Sequence, residues 1–376
     1  MQSNTFSKLS TPIHSRGRFY IEKKSGLRSP YQRDRDRILH STAFRRLKHK
    51  TQVFVNTSGD HYRTRITHSL EVSQIARTLS KVFKLNEDLS ETLSLAHDLG
   101  HTPFGHAGEE ALNDCMIKSG GFDHNIQTLR IVTLIEKKYY NFKGLNLSLE
   151  TLDGLIKHNG PIRDKEKYDK ILGINYFKNK INFSESPSLE AQIASISDDI
   201  AYNSHDLEDG LNAKLFTLGD ISKIPVLKTL IKKHKNKINK HSQELVIRQI
   251  IREIINEMVK DIILNTKKNL KKMKVKNLKD VYKSRYQLVC FSNKMKLFDN
   301  NVKNFLKENM YYHKNVIHKT NLGKKIVKSL FFNIKKDPKK FIKNHNPKKI
   351  NTDRLISDFI AGMTDRYAIN LYNKIK

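Results

Sequence analysis

The sequence predicts an all-α fold. Only 8 prolines and 16 glycines interrupt its 376 residues, so few positions would break a helix. Long stretches place apolar side chains every three or four residues, as in helices with one buried face, whereas alternating strand-like patterns are short and few. Apolar types make up 38% of the chain, which is enough to form a core and argues against disorder.

Three stretches show the helical periodicity most clearly. Between residues 68 and 84, an apolar face that includes Leu70 and Ile75 predicts an amphipathic helix. Residues 244–264 repeat Ile, Leu or Val every three or four positions. Residues 353–372 have a third apolar face, which we expect to pack back onto the first part of the chain.

Composition and charge divide the chain into two parts. Residues 1–215 are well mixed, and Gly210 marks the predicted junction with a Lys-rich helical region at 216–376. Of the net charge of +32, residues 223–349 hold +27, with 35 Lys and Arg against 8 Asp and Glu. The basic residues of 223–349 either form solvated helix faces or attract polyanions. In the second case we expect nonspecific nucleic-acid binding that weakens with added salt.

The cysteines and the apolar runs bear on the compartment. Two cysteines, Cys115 and Cys290, exclude a disulfide scaffold and a Cys-rich zinc site. No apolar run approaches the ~20 residues that span a bilayer, and the first residues lack the apolar stretch of a secretory signal. The sequence therefore predicts a cytoplasmic protein with no membrane partner.

The chemistry is concentrated in residues 95–110, where three histidines occur within ten residues among acidic neighbours. A single helical histidine is usually structural, but this density of imidazole and carboxylate groups indicates a divalent-cation site. The adjacent His97 and Asp98 can bracket one ion only at the last turn of a helix, which we expect to end at Gly100.

Further ligands must come from other helices. His68 stands near the start of one, and Asp198 or Asp199 lies on another. Asp198 shares its helix face with Tyr202 and Asp206 at four-residue spacing, whereas Asp199 points about 100° away. Helix geometry therefore favours Asp198 as the ligand and an ion pair or hydrogen bond for Asp199, the alternative being a solvated acidic face.

Together these residues resemble the signature of the HD-domain metal-dependent phosphohydrolases, and more specifically the bacterial deoxyguanosine triphosphate triphosphohydrolase-like proteins. The stretches that carry the resemblance run through nearly the whole chain: 28–54, 63–72, 96–109, 122–130, 156–161, 198–210 and 358–368.

The resemblance implies an HD-domain helical fold with additional C-terminal helices. Residues 1–215 would form the metal-dependent phosphohydrolase core. The implied reaction is hydrolysis of a deoxynucleoside triphosphate, dGTP-like, to deoxynucleoside and inorganic triphosphate. The implied cofactor is Mg, Mn or another divalent transition metal, and the implied assembly is a homo-oligomer.

The resemblance also assigns roles to residues. The metal ligands are His68, His97, Asp98 and Asp198. The catalytic group is His106, Glu109 and His124. The substrate-binding group is Arg65 at the phosphates, Tyr202 and Asp206 at the sugar, and Gln52 near the sugar or base.

Within the catalytic group, His106 is the expected general acid for the leaving sugar oxygen. Glu109 lies three residues further on, so it can orient His106 across one helical turn. His124 is the second candidate for the acid, and the alternative for it is a cap or turn histidine.

Two other functions remain open. One is an HD phosphohydrolase that acts on another nucleotide phosphoester, such as a nucleoside monophosphate or a cyclic nucleotide; of these reactions, only the triphosphohydrolase reaction releases inorganic triphosphate. The other is a nucleic-acid-binding protein with a vestigial site, against which the four intact metal positions count.

Overall fold

All regular secondary structure in the described residues is helical, which confirms the all-α prediction. The computed structural model describes residues 7–23, 25–52, 63–172, 177, 180–238, 242–342 and 351–375. The last two residues of the matching stretch 28–54 therefore lie outside the described residues, as do residues 239–241 and 343–350 of the Lys-rich region.

Eighteen α-helices are described, in two groups along the chain. The first nine are α1 (Pro30–Leu39), α2 (Thr42–Arg46), α3 (Arg65–Val82), α4 (Glu87–Ala96), α5 (Gly105–Met116), α6 (His124–Arg130), α7 (Leu149–Ile156), α8 (Lys165–Leu172) and α9 (Leu189–Asn212). The others are α10 (Leu218–Ile221), α11 (Pro225–Ile238), α12 (Gln243–Lys272), α13 (Leu278–Lys283), α14 (Asn293–Leu306), α15 (Lys314–Lys336), α16 (Pro338–Phe341), α17 (Thr352–Ala361) and α18 (Asp365–Ile375).

Helices α3, α4 and α9 pack against one another and form the frame of the first part of the chain. The buried face of α3 includes Val72, Ile75 and Leu79. The predicted face is wrong at Leu70, which is 51% exposed. Five residues separate Leu70 from Ile75, and at 100° per residue this places them about 140° apart around the helix.

Gly210 does not interrupt the chain as the junction prediction supposed. It lies inside α9, which continues to Asn212. A Cβ at this position would stand 2.3 Å from the Phe216 ring, so the glycine allows the following segment to fold closely against the helix. The division at residue 215 stays a prediction.

The C-terminal helices contact the first part of the chain through α5. Helix α15 packs on α5, α17 and α18. The cluster at this contact joins Phe104 and Leu112 to Leu330 and Ile360, all of them buried. An added Cβ at Gly323 of α15 would stand 2.8 Å from Phe104, so the two segments approach too closely there for a larger residue without movement.

A buried lysine links this C-terminal group to the turn before α5. Lys50 is 2% exposed, and its Nζ donates to the carbonyl oxygens of His101 (2.5 Å) and Ala361 (2.8 Å). Asp365 reinforces the link by accepting from the backbone N–H groups of Thr51 and Phe104, both at 3.0 Å. Burial and the neighbouring arginines lower the pKa of Lys50 to about 7.

We expect this amine to make stability depend on pH. The folded pKa of Lys50 lies below the unfolded value near 10.4, so between about pH 7 and 10 the unfolded chain binds more protons, and the free energy of unfolding rises with pH. One extra proton corresponds to about 1.4 kcal/mol per pH unit. Denaturant unfolding of the wild type and of Lys50→Met at pH 7 to 10 checks this. The free energy of unfolding of the wild type, minus that of Lys50→Met, should increase as pH rises. A difference that stays constant over this pH range would contradict the expectation.

Candidate metal and phosphate site

The four predicted metal ligands lie together where α3, the end of α4 and α9 meet. His68 Nε2 is 2.8 Å from Asp198 Oδ1. His97 Nε2 is 3.6 Å from the same oxygen and 3.4 Å from Asp98 Oδ1. His68, His97 and Asp98 are each at most 4% exposed, whereas the Asp198 side chain is 30% exposed, so three of the four donors are buried.

The local chain explains how adjacent residues His97 and Asp98 both face this cluster. Helix α4 ends at Ala96, four residues before the predicted stop at Gly100. The following turn leaves the helix, so the two side chains need not point 100° apart. Gly100 serves a different purpose: its Cβ would stand 2.0 Å from the His124 carbonyl oxygen, so only glycine lets α6 approach.

The hydrogen bond of His97 prepares its other nitrogen for a metal. Nδ1 lies 2.6 Å from the Ser94 carbonyl oxygen, which fixes the proton on Nδ1 in the neutral ring. Nε2 is buried and has no hydrogen-bond partner among the described residues. A lone pair aimed at two carboxylates fits a divalent cation, and His68, His97 and Asp198 offer ligand atoms within 4.8 Å of one another.

Protons compete for the same nitrogen. Burial disfavours the imidazolium form of His97, but the Asp98 and Asp198 carboxylates outweigh burial and raise the pKa of His97 to about 9. Metal binding there must release a proton, so the affinity for a divalent ion should increase with pH up to about that value.

Arg65 faces the cluster from the first turn of α3. It is 2% exposed, and its Nη1 donates to Asp98 Oδ2 at 2.9 Å. Its Nε and Nη2 have no hydrogen-bond partner in the described part of the chain. These remaining N–H groups can meet an anionic oxygen, as the predicted phosphate contact requires.

The predicted catalytic residues form a second group around Glu109. Its Oε1 accepts from His124 Nδ1 at 2.8 Å and from the His124 backbone N–H at 2.9 Å, whereas His106 Nδ1 lies 3.4 Å from Oε2. The His106 side chain is 64% exposed and that of His124 is 23% exposed. Burial favours protonation of Glu109, but its bonds to both histidines outweigh burial and hold its pKa well below the usual range.

The sequence interpretation gave no role to two histidines of the pocket. His101 lies between the groups: its Nδ1 is 3.0 Å from Asp98 Oδ1, and its ring contacts that of His124, with 3.9 Å between centroids and a tilt of 32°. His158 stacks on His97, and its Nε2 is 3.6 Å from Asp198 Oδ2. Both stand in the matching stretches, but only the packing of α4 against α7 and α9 brings His158 to the cluster.

The neighbours Asp198 and Asp199 separate as helix geometry predicts. Asp198 faces the histidines, whereas Asp199 ion-pairs with Lys303 at 2.8 Å. On the Asp198 face, Asp206 is fully enclosed and accepts from the Tyr311 hydroxyl, beside Tyr202. Burial raises the pKa of Asp206 to about 7. Tyr311 comes from the Lys-rich region, which the sequence interpretation did not connect with the pocket.

Gln52 and a nearby cavity complete the surroundings. Gln52 Oε1 is buried without a hydrogen-bond partner among the described residues, and a Cβ at Gly105 would stand 3.4 Å from the Gln52 carbonyl oxygen and 3.2 Å from Arg65 Nη2. A cavity of about 180 Å³ is lined by residues that include His158, Asn125 and Tyr168. His158 therefore connects this space with the metal cluster.

Comparison with known proteins identifies the family. A model of the HD domain matches residues 65–203, and a model of the phosphohydrolase-associated domain matches residues 289–374. The chain is 60% identical over 368 residues to a deoxyguanosinetriphosphate triphosphohydrolase-like protein of Pelagibacter ubique, covering 98% of this chain and 99% of the relative. The chain belongs to the deoxyguanosinetriphosphate triphosphohydrolase-like family of HD-domain proteins. A relative of the same name from Bartonella tribocorum is 46% identical and one from Brucella anthropi 44% identical, each over 97% of this chain and 93% of its own length.

Membership of this family confirms the resemblance and makes the chain an HD-type phosphohydrolase. The two segments that the family models match contain the helices that carry the predicted metal ligands and the C-terminal helices that supply Tyr311. None of the helices in the described ranges is long and apolar enough to cross a bilayer.

The Asp198 and Asp199 pair offers a matched test of the metal site. We expect Asp198→Asn to reduce affinity for a divalent ion by more than the roughly 10- to 100-fold typical of outer-shell changes, because it removes a charged donor. Asp199→Asn should lose only its Lys303 ion pair and keep the metal. Metal content after dialysis, measured by plasma mass spectrometry, checks both, with His97→Ala as a second loss variant. Normal occupancy in Asp198→Asn would overturn the assignment.

Proposed function

We propose that this phosphohydrolase cleaves a deoxynucleoside triphosphate, dGTP-like, into deoxynucleoside and inorganic triphosphate. The observation that carries the proposal is the junction of three groups in one pocket: the donor cluster, Arg65 with free N–H groups, and histidines on Glu109. The relatives named deoxyguanosinetriphosphate triphosphohydrolase-like supply the substrate class.

The phosphates need more positive charge than a metal alone provides. The residues that would hold a divalent ion are His68, His97, Asp98 and Asp198. Such an ion would supply a Lewis acid for a phosphate oxygen and a bound water of lowered pKa. Its two charges are balanced by the Asp98 and Asp198 carboxylates, so the triphosphate must find further cations. Arg65 is placed for this role because Asp98 fixes one edge of its guanidinium and leaves the other free.

The sugar oxygen leaves as an alkoxide unless it is protonated. His106 is the proposed acid because its side chain is exposed and its Nδ1 lies 3.4 Å from Glu109 Oε2. His124 holds the other carboxylate oxygen, and this fixes the direction from which Glu109 meets His106.

Tyr202 and Asp206 are proposed to contact the sugar, with Gln52 near the sugar or base. Asp206 has a pKa of about 7, so near neutrality its carboxyl group can either donate to or accept from a sugar hydroxyl. Tyr311 holds one of its oxygens and so orients the other. A homo-oligomer, which the family resemblance implies, stays a prediction that light scattering can check.

Product analysis tests the function. We expect incubation of the purified chain with each deoxynucleoside triphosphate and Mg or Mn to yield deoxynucleoside and inorganic triphosphate, separated by ion-exchange chromatography. Asp198→Asn should abolish both products, and Asp199→Asn should retain them. Release of pyrophosphate or orthophosphate instead, or turnover of only monophosphates or cyclic nucleotides, would reject the proposed reaction.

The two histidines on Glu109 can be ranked by kinetics. We expect His106→Ala to lower kcat by about 10²- to 10⁴-fold, the usual contribution of a general acid. His124→Ala should lower kcat less, because it removes a support of Glu109 rather than the proton donor. Steady-state kinetics with the preferred substrate checks the order, and a larger loss in His124→Ala would move the acid to His124.

A further inference from the structure

A second set of metal-binding side chains lies beside the predicted one. His101, His106 and Glu109 each offer one ligand atom, and these atoms lie within 4.8 Å of one another. None of the three belongs to the predicted metal ligands. His106 and Glu109 are the second and fifth residues of α5, and His101 comes from the turn that precedes the helix.

His101 is the residue that points to a ligand. It is 3% exposed, and neither of its ring nitrogens makes a hydrogen bond within the described part of the chain, although Nδ1 lies 3.0 Å from Asp98 Oδ1. Asp98 can serve as the partner of Nδ1, but Nε2 has none, and buried polar groups in proteins nearly always have partners. A cation between His101 and Glu109 would provide one.

His124 already orients the Glu109 carboxylate, as an outer-shell residue orients a carboxylate that binds a metal. Its Oε1 accepts two bonds from His124, through the ring Nδ1 and the backbone N–H. Its Oε2 faces His106 Nδ1 at 3.4 Å, too long for a strong hydrogen bond and close to the separation of two ligand atoms on one metal ion. The exposed His106 ring can rotate to adjust its distance without disturbing the core.

We propose that His101, His106 and Glu109 bind a second divalent transition-metal ion, for which zinc is the best match. Two imidazoles and one carboxylate, with water in the fourth position, make a common tetrahedral zinc site. Magnesium prefers oxygen ligands and would not select this set. The predicted site at His68 and His97 has one more carboxylate, so the two sites should differ in metal preference.

Occupation of the second site has a consequence that rests on the proposed function. The ion would engage His106 and Glu109, the proposed acid and its orienting partner, so zinc at this site inhibits hydrolysis while the first site keeps its metal. Zinc binding itself requires no substrate and does not depend on the reaction.

Zinc stoichiometry tests the proposal on the full-length chain. Protein stripped with a chelator is dialysed against zinc, and zinc per chain is measured by plasma mass spectrometry. We expect two zinc ions in the wild type and one each in His101→Ala, His106→Ala and His97→Ala. His40→Ala, at an exposed histidine, is the control and should retain two. One zinc in the wild type, or two in His106→Ala, would overturn the proposal.

Two further measurements separate the possible failures. His101 is buried and its replacement can unfold the chain, so the folding of each variant is checked by circular dichroism. If His101→Ala does not fold, the zinc content of the exposed His106→Ala variant tests the site. Cobalt loading should give the intense visible absorption of four-coordinate cobalt, and His106→Ala should lose the part that belongs to the second site. Equal spectra in wild type and His106→Ala would contradict the site, even if no nucleotide is hydrolysed.

Discussion

The buried carboxylate of Asp98 is the group on which the pocket depends. It is 4% exposed, and an isolated charge at this depth would cost several kcal/mol. Arg65 meets one oxygen at 2.9 Å, and His101 and His97 approach the other at 3.0 and 3.4 Å. Burial raises the pKa of Asp98, but the charges of His97 and Arg65 outweigh burial and hold it well below the usual range. One ionised side chain thus fixes the predicted metal ligand His97, the arginine proposed for the phosphates, and His101 beside the Glu109 group.

The C-terminal helices are part of this arrangement. The phosphohydrolase-associated segment 289–374 supplies Tyr311 to Asp206 and Lys303 to Asp199. Lys50 ties the end of α17 to the His101 carbonyl, next to the groups that surround Asp98. The Lys-rich region therefore does more than carry surface charge, the role its composition suggested, because it also forms one wall of the pocket.

The sequence was informative wherever a feature is local to one helix. The four-residue spacing of Asp198, Tyr202 and Asp206 separated Asp198 from its neighbour, and the helical periodicity identified the fold class. The face of α3 was misjudged at Leu70 because an interval of five residues was accepted as helical. Contacts between distant segments left no such signal, so Tyr311 was not connected with the pocket.

Glycine positions show the same limit. A glycine after two ligands looks like a helix stop, but the requirement at Gly100 is contact with the His124 carbonyl oxygen, 24 residues further along the chain. Gly210 likewise looks like a junction and instead accommodates the Phe216 ring. Spacing can indicate that a glycine is needed, whereas only the packed neighbours reveal why.

The electrostatic surroundings of His97 and His101 differ, and the difference bears on which histidine of the pocket can carry a proton. Both rings are buried beside Asp98, but Asp198 adds a second carboxylate at His97, whereas Arg65 and His124 add positive charge at His101. Burial lowers the pKa of both; the carboxylates reverse the effect at His97, and the nearby cations reinforce it at His101. Groups whose environments push their pKa values apart divide acid and base roles between them. A ring held neutral at His101 has no acidic proton to give, whereas the Glu109 carboxylate outweighs burial at His124 and raises the pKa of that ring. The contrast favours the Glu109 group over His101 as the source of a proton for a leaving oxygen.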